Sequence, residues 1–218
     1  MEFLAKYRMY FLRGSILLLI VLSVTNNDFR AYTLDITTIE SLQMSIMGFI
    51  LVVFGSFGRI WASLYIEGNK TKNLITEGPF SMVRNPLYFF SLMMLLGFSF
   101  ALKAIYLPLA LLLIFILFHV PTIANEERKL KNNHGEKFEN YMKSTPRLIP
   151  NIFKYKKPEV GEKVLVKISR INGVLIEVIG YLFLYTLIDI IYDKNIPIAV
   201  TASKNLDQLT SSKSLEQE

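Results

Sequence analysis

The sequence predicts an all-α membrane protein, a polytopic bundle of about five transmembrane helices. Three observations carry that prediction. Apolar residues make up 52% of the 218-residue chain and charged residues only 19%, below the roughly 25% charge of soluble domains. Uncharged runs long enough to cross a bilayer recur along it, a crossing needing about 17–25 residues. The loops between those runs alternate between Lys/Arg-rich and Lys/Arg-poor, the pattern that orients membrane helices.

The first run is Gly14–Asn27, extended back to about Met9 past Arg13, whose long stem can snorkel to the interface. A basic stretch precedes it, but Thr25-Asn26-Asn27-Asp28 offers no small-x-small cleavage site, so a retained helix is expected rather than a signal peptide. The second run, Ser41–Gly58, continues past Arg59 to Ile66; the third is Asn85–Leu102 and the fourth Ala104–Asn125. Only Lys103 separates the last two, which predicts a tight antiparallel hairpin. A fifth segment, Ile171–Tyr192, is interrupted by Glu177 and Asp189. It reads as a further span, the alternative being an amphipathic helix lying on the surface. The organisation expected is a core of four spans and their loops over 1–157, a linker with the fifth helix over 158–192, and a disordered polar tail over 193–218.

Three cations precede the first span (Lys6, Arg8, Arg13), three lie between the second and third (Lys70, Lys72, Arg84), and twelve between Glu126 and Arg170. Asn26–Glu40 holds only Arg30. The N-terminus is therefore expected in the cytosol, in a bacterial inner membrane or the endoplasmic reticulum. The formal charge of +6 is spent on topology, and no nucleic-acid partner is needed to explain it. With no cysteine and two histidines, disulfides, thiolate metal sites and Cys nucleophiles are excluded, and no metal site is expected.

Two polar segments hold the chemistry. Glu67–Tyr88 is dense in turn formers, among them Gly78-Pro79 and Asn85-Pro86. Pro86 suits the first turn of a helix, Asn85 is a natural cap, and the helix start beside Arg84 is a suitable seat for a carboxylate. The plainer reading is a capped loop whose arginine marks the inside. In the second segment, Glu126 and Glu127 leave the fourth span on neighbouring faces, so one alone can point into the bundle; a carboxylate at that depth is a functional candidate. The residues after them read as a basic amphipathic helix near anionic headgroups. His119, inside the fourth span, reads either as a satisfied interhelical donor or as a group meeting substrate. Trp61 and Tyr65 read as an interfacial aromatic anchor.

Gly78-Pro79-Phe80, Arg84-Asn85-Pro86-Leu87-Tyr88, an apolar hairpin, Glu126-Glu127-x-x-Leu130, Gly135-Glu136-x-Phe138-x-x-Tyr141 and Pro146-Arg147-x-x-Pro150 resemble the isoprenylcysteine carboxyl methyltransferase and phospholipid methyltransferase superfamily of integral membrane enzymes. Arg59-x-x-Ala62 and Leu74-Ile75-Thr76 fit the same pattern, and the resemblance covers roughly residues 45–150. It implies a methyltransferase with a cytosolic site for S-adenosyl-L-methionine and a lipophilic methyl acceptor reached from the membrane lipids. By that resemblance Lys72, Asn73, Leu74, Ile75, Phe80, Arg84, Asn85, Tyr88 and Glu126 line the cofactor, with Arg84 and Glu126 as the catalytic pair. Two positions depart from the family: Asn85 stands where its motif has histidine, and Thr122 where the eukaryotic carboxyl methyltransferases have arginine. The acceptor implied is isoprenylcysteine-like. Alternatives are a phospholipid amine, a small thiol or, outside enzymes, a scaffold role without cofactor.

Overall fold

A computed structural model describes residues 39–68, 74–104, 106–157, 172–173, 175–176 and 178–190. The expected first span, the linker at 158–171 and the polar tail lie outside the described residues, as do Lys72 and Asn73. Within them the chain is helical with no strand: α1 (Ile39–Gly68), α2 (Pro79–Met82), α3 (Pro86–Ala101), α4 (Leu107–His134) and α5 (Glu136–Ser144), then a 3-10 turn, Ile152–Lys154. A further helix, α6, covers Val178–Ile190.

Two helices, α1 and α4, are long and apolar enough to cross a membrane. At 1.5 Å per residue, the 28 residues of α4 reach about 42 Å, beyond a hydrocarbon core of about 30 Å. Its last turns, from Glu126, carry the charges that belong outside the bilayer. Both helices turn large apolar side chains outward, among them Phe54, Phe57, Leu113 and Leu117, all more than half exposed, as a lipid-facing surface requires. The expected third span is shorter than its uncharged run. Pro86 opens α3 as its first residue, and the chain leaves the helix after Ala101, giving 16 residues. The hairpin is present: Lys103 takes a left-handed φ of 50°, and its N–H closes the turn on Phe100 O at 3.0 Å.

Lys103 departs from its expected role as a loop charge. It is 2% exposed and its Nζ lies 3.7 Å from Asp189 Oδ1 of α6. Asp189 also accepts from Ser45 Oγ at 3.0 Å, and Tyr185 Oη donates to Ser45 O at 2.6 Å. The acid that interrupts the fifth apolar segment thus fastens α6 to α1 and to the α3–α4 turn. A buried cation and a carboxylate inside an apolar bundle are tolerable because they face each other.

The α1–α3 pair is the closest packing in the described bundle. A Cβ built on Gly48 falls 2.8 Å from Gly97 O, one on Gly55 2.7 Å from Phe90 O, and one on Gly58 2.1 Å from the Phe90 ring. With Val52 and Ala62 fully buried, these positions form one face of α1 that admits only small groups, the usual basis of close helix approach in lipid. Nearer the C-terminal end of α1, Arg59 Nη1 donates to Ser91 Oγ of α3 at 2.9 Å. This rigid pair fixes where α3 begins, and so where Arg84 and Asn85 stand.

Candidate functional site

At the C-terminal ends of α1 and α4, the loop before α3, the last turns of α4, and α5 enclose a cavity of about 260 Å³. Its wall includes Leu74, Ile75, Phe80, Arg84, Asn85, Tyr88 and Glu126, so every described residue assigned to the cofactor by resemblance meets at one place. Ile66, Leu87, Leu130, Phe138, Tyr141 and Glu127 complete it beside Pro86. Five of these, Leu87, Glu127, Leu130, Phe138 and Tyr141, belong to the sequence motifs without having been given a role at the cofactor; nothing in the sequence marked Ile66 as a site residue.

The loop is held in place by its backbone. Gly78 sits at φ 58°, where an added Cβ would fall 2.3 Å from the Tyr65 ring, so the turn into α2 needs glycine twice over. Gly78 N–H donates to Lys156 O at 2.9 Å, Arg84 N–H to Pro146 O at 2.8 Å, and Asn151 N–H to Met82 O at 3.0 Å. The segment after α5 is thereby stitched along the loop that carries the site.

The carboxylate that faces inward is Glu127, 4% exposed; the sequence left open which of the pair does so, and the resemblance placed Glu126 at the cofactor. Arg147 donates to its Oε2 from Nε at 2.9 Å and from Nη2 at 2.7 Å. Asn85 Nδ2 donates to Oε1 at 3.1 Å, and Arg84 Nε lies 3.4 Å from the same oxygen. The reason is helix phase: successive side chains differ by about 100°, and the packing of α4 on α3 turns the second glutamate, not the first, toward both arginines. The carboxylate seated beside Arg84 at the start of α3 is therefore the chain's own. Asn85 stands at the helix N-cap but makes no capping bond with its side chain; Nδ2 is engaged by Glu127 and by Arg147 O at 2.9 Å.

Glu126 is exposed and lies at the cavity's rim, where Tyr88 Oη donates to its Oε1 at 2.8 Å. Behind Tyr88, His119 meets its ring edge-on with centroids 5.5 Å apart and stacks on Phe115 at 4.1 Å. Its Nδ1 lies 3.3 Å from Phe115 O, which places His119 within the helix packing. Thr122 is also satisfied locally, donating to Phe118 O at 2.7 Å.

Arg84 Nε is buried and makes no hydrogen bond. The cavity thus has the Arg84 guanidinium in its wall, with one exposed carboxylate and apolar and aromatic side chains. Groups of this kind could hold a molecule that carries charges of both signs and a flat ring.

Tyr141 roofs the cavity and donates from Oη to Phe80 O at 2.6 Å. Burial, ahead of the opposing effect of Arg84 and the reinforcing one of Glu127, pushes its phenol well above the usual tyrosine range. The unfolded chain loses this proton near pH 10 while the folded one retains it, so the unfolded state binds fewer protons and stability must fall as pH rises above about 10. Thermal unfolding followed from pH 8 to 11 should show that fall, and Tyr141→Phe should lessen it while costing about 1 kcal/mol at neutral pH for the lost hydrogen bond. An unchanged alkaline limb in Tyr141→Phe would assign the pH dependence to other groups.

Residues 40–137 match the phospholipid methyltransferase family. The chain is 30% identical over 151 residues to the nickel-cobalt-cadmium resistance protein NccN of Alcaligenes xylosoxydans xylosoxydans, spanning 69% of this chain and 68% of that protein. It is 33% identical over 122 residues to the cobalt-zinc-cadmium resistance protein CzcN of Cupriavidus metallidurans, spanning 56% of each. No solved structure matches it.

Proposed function

The chain belongs to the phospholipid methyltransferase family, and from that premise we propose that it is an S-adenosyl-L-methionine-dependent methyltransferase acting on a lipophilic, isoprenylcysteine-like acceptor at the cytosolic face of its membrane. The observation that carries the reading is the convergence of Leu74, Ile75, Phe80, Arg84, Asn85, Tyr88 and Glu126 on one cavity at the end of two membrane-length helices.

Bound there, the cofactor supplies an electrophilic methyl group together with its own neutral leaving group. The chain's residues are left to position and to exclude water. Arg84 and Glu126 hold the charged ends of the ligand, Tyr88 keeps Glu126 over the cavity, and Glu127 holds Arg84 from behind. Phe80, Leu130, Phe138 and Tyr141 form a dry wall, where the charged groups act more strongly than in water. A carboxylate acceptor needs no base; a phospholipid amine or a small thiol, the alternative acceptors, would have to lose a proton first.

The relatives are named for resistance to metals. Among the described residues no group of three or more His, Asp or Glu is placed to hold a metal ion, and the chain has no cysteine. On our reading, any link to that physiology runs through a methylated product.

Calorimetry of the detergent-purified chain is the test. Saturable S-adenosylmethionine binding, displaced by S-adenosylhomocysteine and lost in Arg84→Ala, is the expected result. Well-folded protein in restored lipid that binds neither would refute the enzymatic reading and favour a scaffold.

A further inference from the structure

The stretch from Tyr141 to Lys157 carries features that the cavity does not use. It contains no acidic residue and five cations, Lys143, Arg147, Lys154, Lys156 and Lys157. Around its 3-10 turn, large apolar side chains stand out from the protein: Phe153 is 93% exposed, Ile149 79% and Ile152 67%. A cluster of that size marks an interaction surface. It is also a fixed presentation. Asn151 Oδ1 accepts from Phe153 N–H at 3.1 Å, and Lys156 N–H donates to Ser81 Oγ at 2.8 Å, in addition to the backbone bonds that tie this stretch to the Gly78–Arg84 loop.

Its position identifies what it meets. Ile149, Pro150 and Ile152 close one end of an open apolar groove of about 960 Å³ whose walls include Phe54 and Phe57 of α1 and Phe89 of α3. Phe54 and Phe57 belong to the outward apolar face of the membrane-length helix. Tyr155 packs against Trp61, with ring centroids 6.1 Å apart, where the apolar stretch of α1 gives way to polar chain. Paired aromatic rings at that level are typical of the membrane interface.

We propose that the Ile149–Tyr155 turn is a membrane-interface anchor, inserting Ile149, Ile152 and Phe153 between lipids while the surrounding lysines grip anionic headgroups. Exposed apolar tips ringed by like charge suit an anionic bilayer surface, since both terms then act in the same direction. The residues after Glu127 were expected to lie near anionic headgroups as an amphipathic helix; α5 directs Phe138 and Tyr141 into the protein, and this turn is proposed as a lipid contact in addition. The inference depends on membrane placement alone and stands apart from methyl transfer.

Because the chain has no cysteine, Phe153→Cys offers a unique site for an environment-sensitive fluorophore, and Lys129→Cys, on the exposed side of α4, a reference. The full chain would be reconstituted in phosphatidylcholine vesicles with and without roughly one quarter phosphatidylglycerol. The label at 153 should emit to the blue of that at 129, resist iodide and be quenched by brominated lipid, more strongly with the anionic lipid. Lys154→Gln, Lys156→Gln and Lys157→Gln together should remove that extra component. Iodide access at 153 equal to that at 129 in both vesicles would overturn the anchor and leave the turn as a surface for another protein. Insertion indifferent to phosphatidylglycerol would overturn the headgroup grip.

Discussion

Glu127→Ala should destabilise the protein by about 3–5 kcal/mol, the usual cost of removing one partner from a buried ion pair, while Glu126→Ala should leave stability within about 0.5 kcal/mol. The Glu127 side chain is 5% exposed and neutralises Arg147 and Arg84, and the Arg84 side chain is itself only 12% exposed. Removing the carboxylate strands the Arg84 guanidinium and releases Asn85 and Arg147, so the loop before α3 and the segment after α5 lose their common attachment. Glu126 has Tyr88 Oη as a partner and otherwise faces solvent. Its truncation should act on ligand binding alone, costing roughly 1.5–3 kcal/mol of affinity if it holds a charged group, about 10- to 150-fold in Kd. Thermal unfolding in detergent, paired with calorimetric titration of S-adenosylmethionine, separates the two. Glu127→Ala unfolding with the wild type would refute the structural role, and undiminished affinity in Glu126→Ala would remove that residue from the cofactor site.

Gly97→Ala should cost about 1–3 kcal/mol despite adding a single methyl group. The new Cβ would lie 2.7 Å from Gly48 O, a backbone atom that can yield only if α1 and α3 separate. The separation would propagate, since Gly55 and Gly58 meet Phe90 along the same seam. Gly180→Ala is the matched control: nothing lies within 4 Å of its Cβ, so the change should be neutral or stabilising by up to about 1 kcal/mol through helix propensity. Equal unfolding temperatures for the two variants would contradict the close α1–α3 approach.

Much of the site could be read in the sequence because its parts are local. Gly78-Pro79, Asn85-Pro86 and the glutamate pair are short motifs whose turn chemistry and helix starts follow from residue type, and the structure brings Asn85-Pro86 and both glutamates to one cavity wall. The role of Asn85 was less legible. A cap was the expectation from its place before Pro86, but its amide is drawn instead to Glu127 and Arg147 O, partners 42 and 62 residues away. Arg147 appeared in a motif without a task, since nothing local shows that its guanidinium crosses to Glu127.

Lys103 and Asp189 show the same division. Each alone is an interruption or a loop charge; only folding sets them 3.7 Å apart. The sequence by itself determined the helical class, the membrane-length helices and the turns beside the cavity, because apolar run length, loop charge and turn residues act along the chain. The tertiary structure alone decided that Glu127 rather than Glu126 is buried, that Lys103 is paired, and that the turn around Phe153 is turned outward. Those outcomes depend on helix phase and on groups far apart in the chain, and these are set only when glycine-lined helices close on one another.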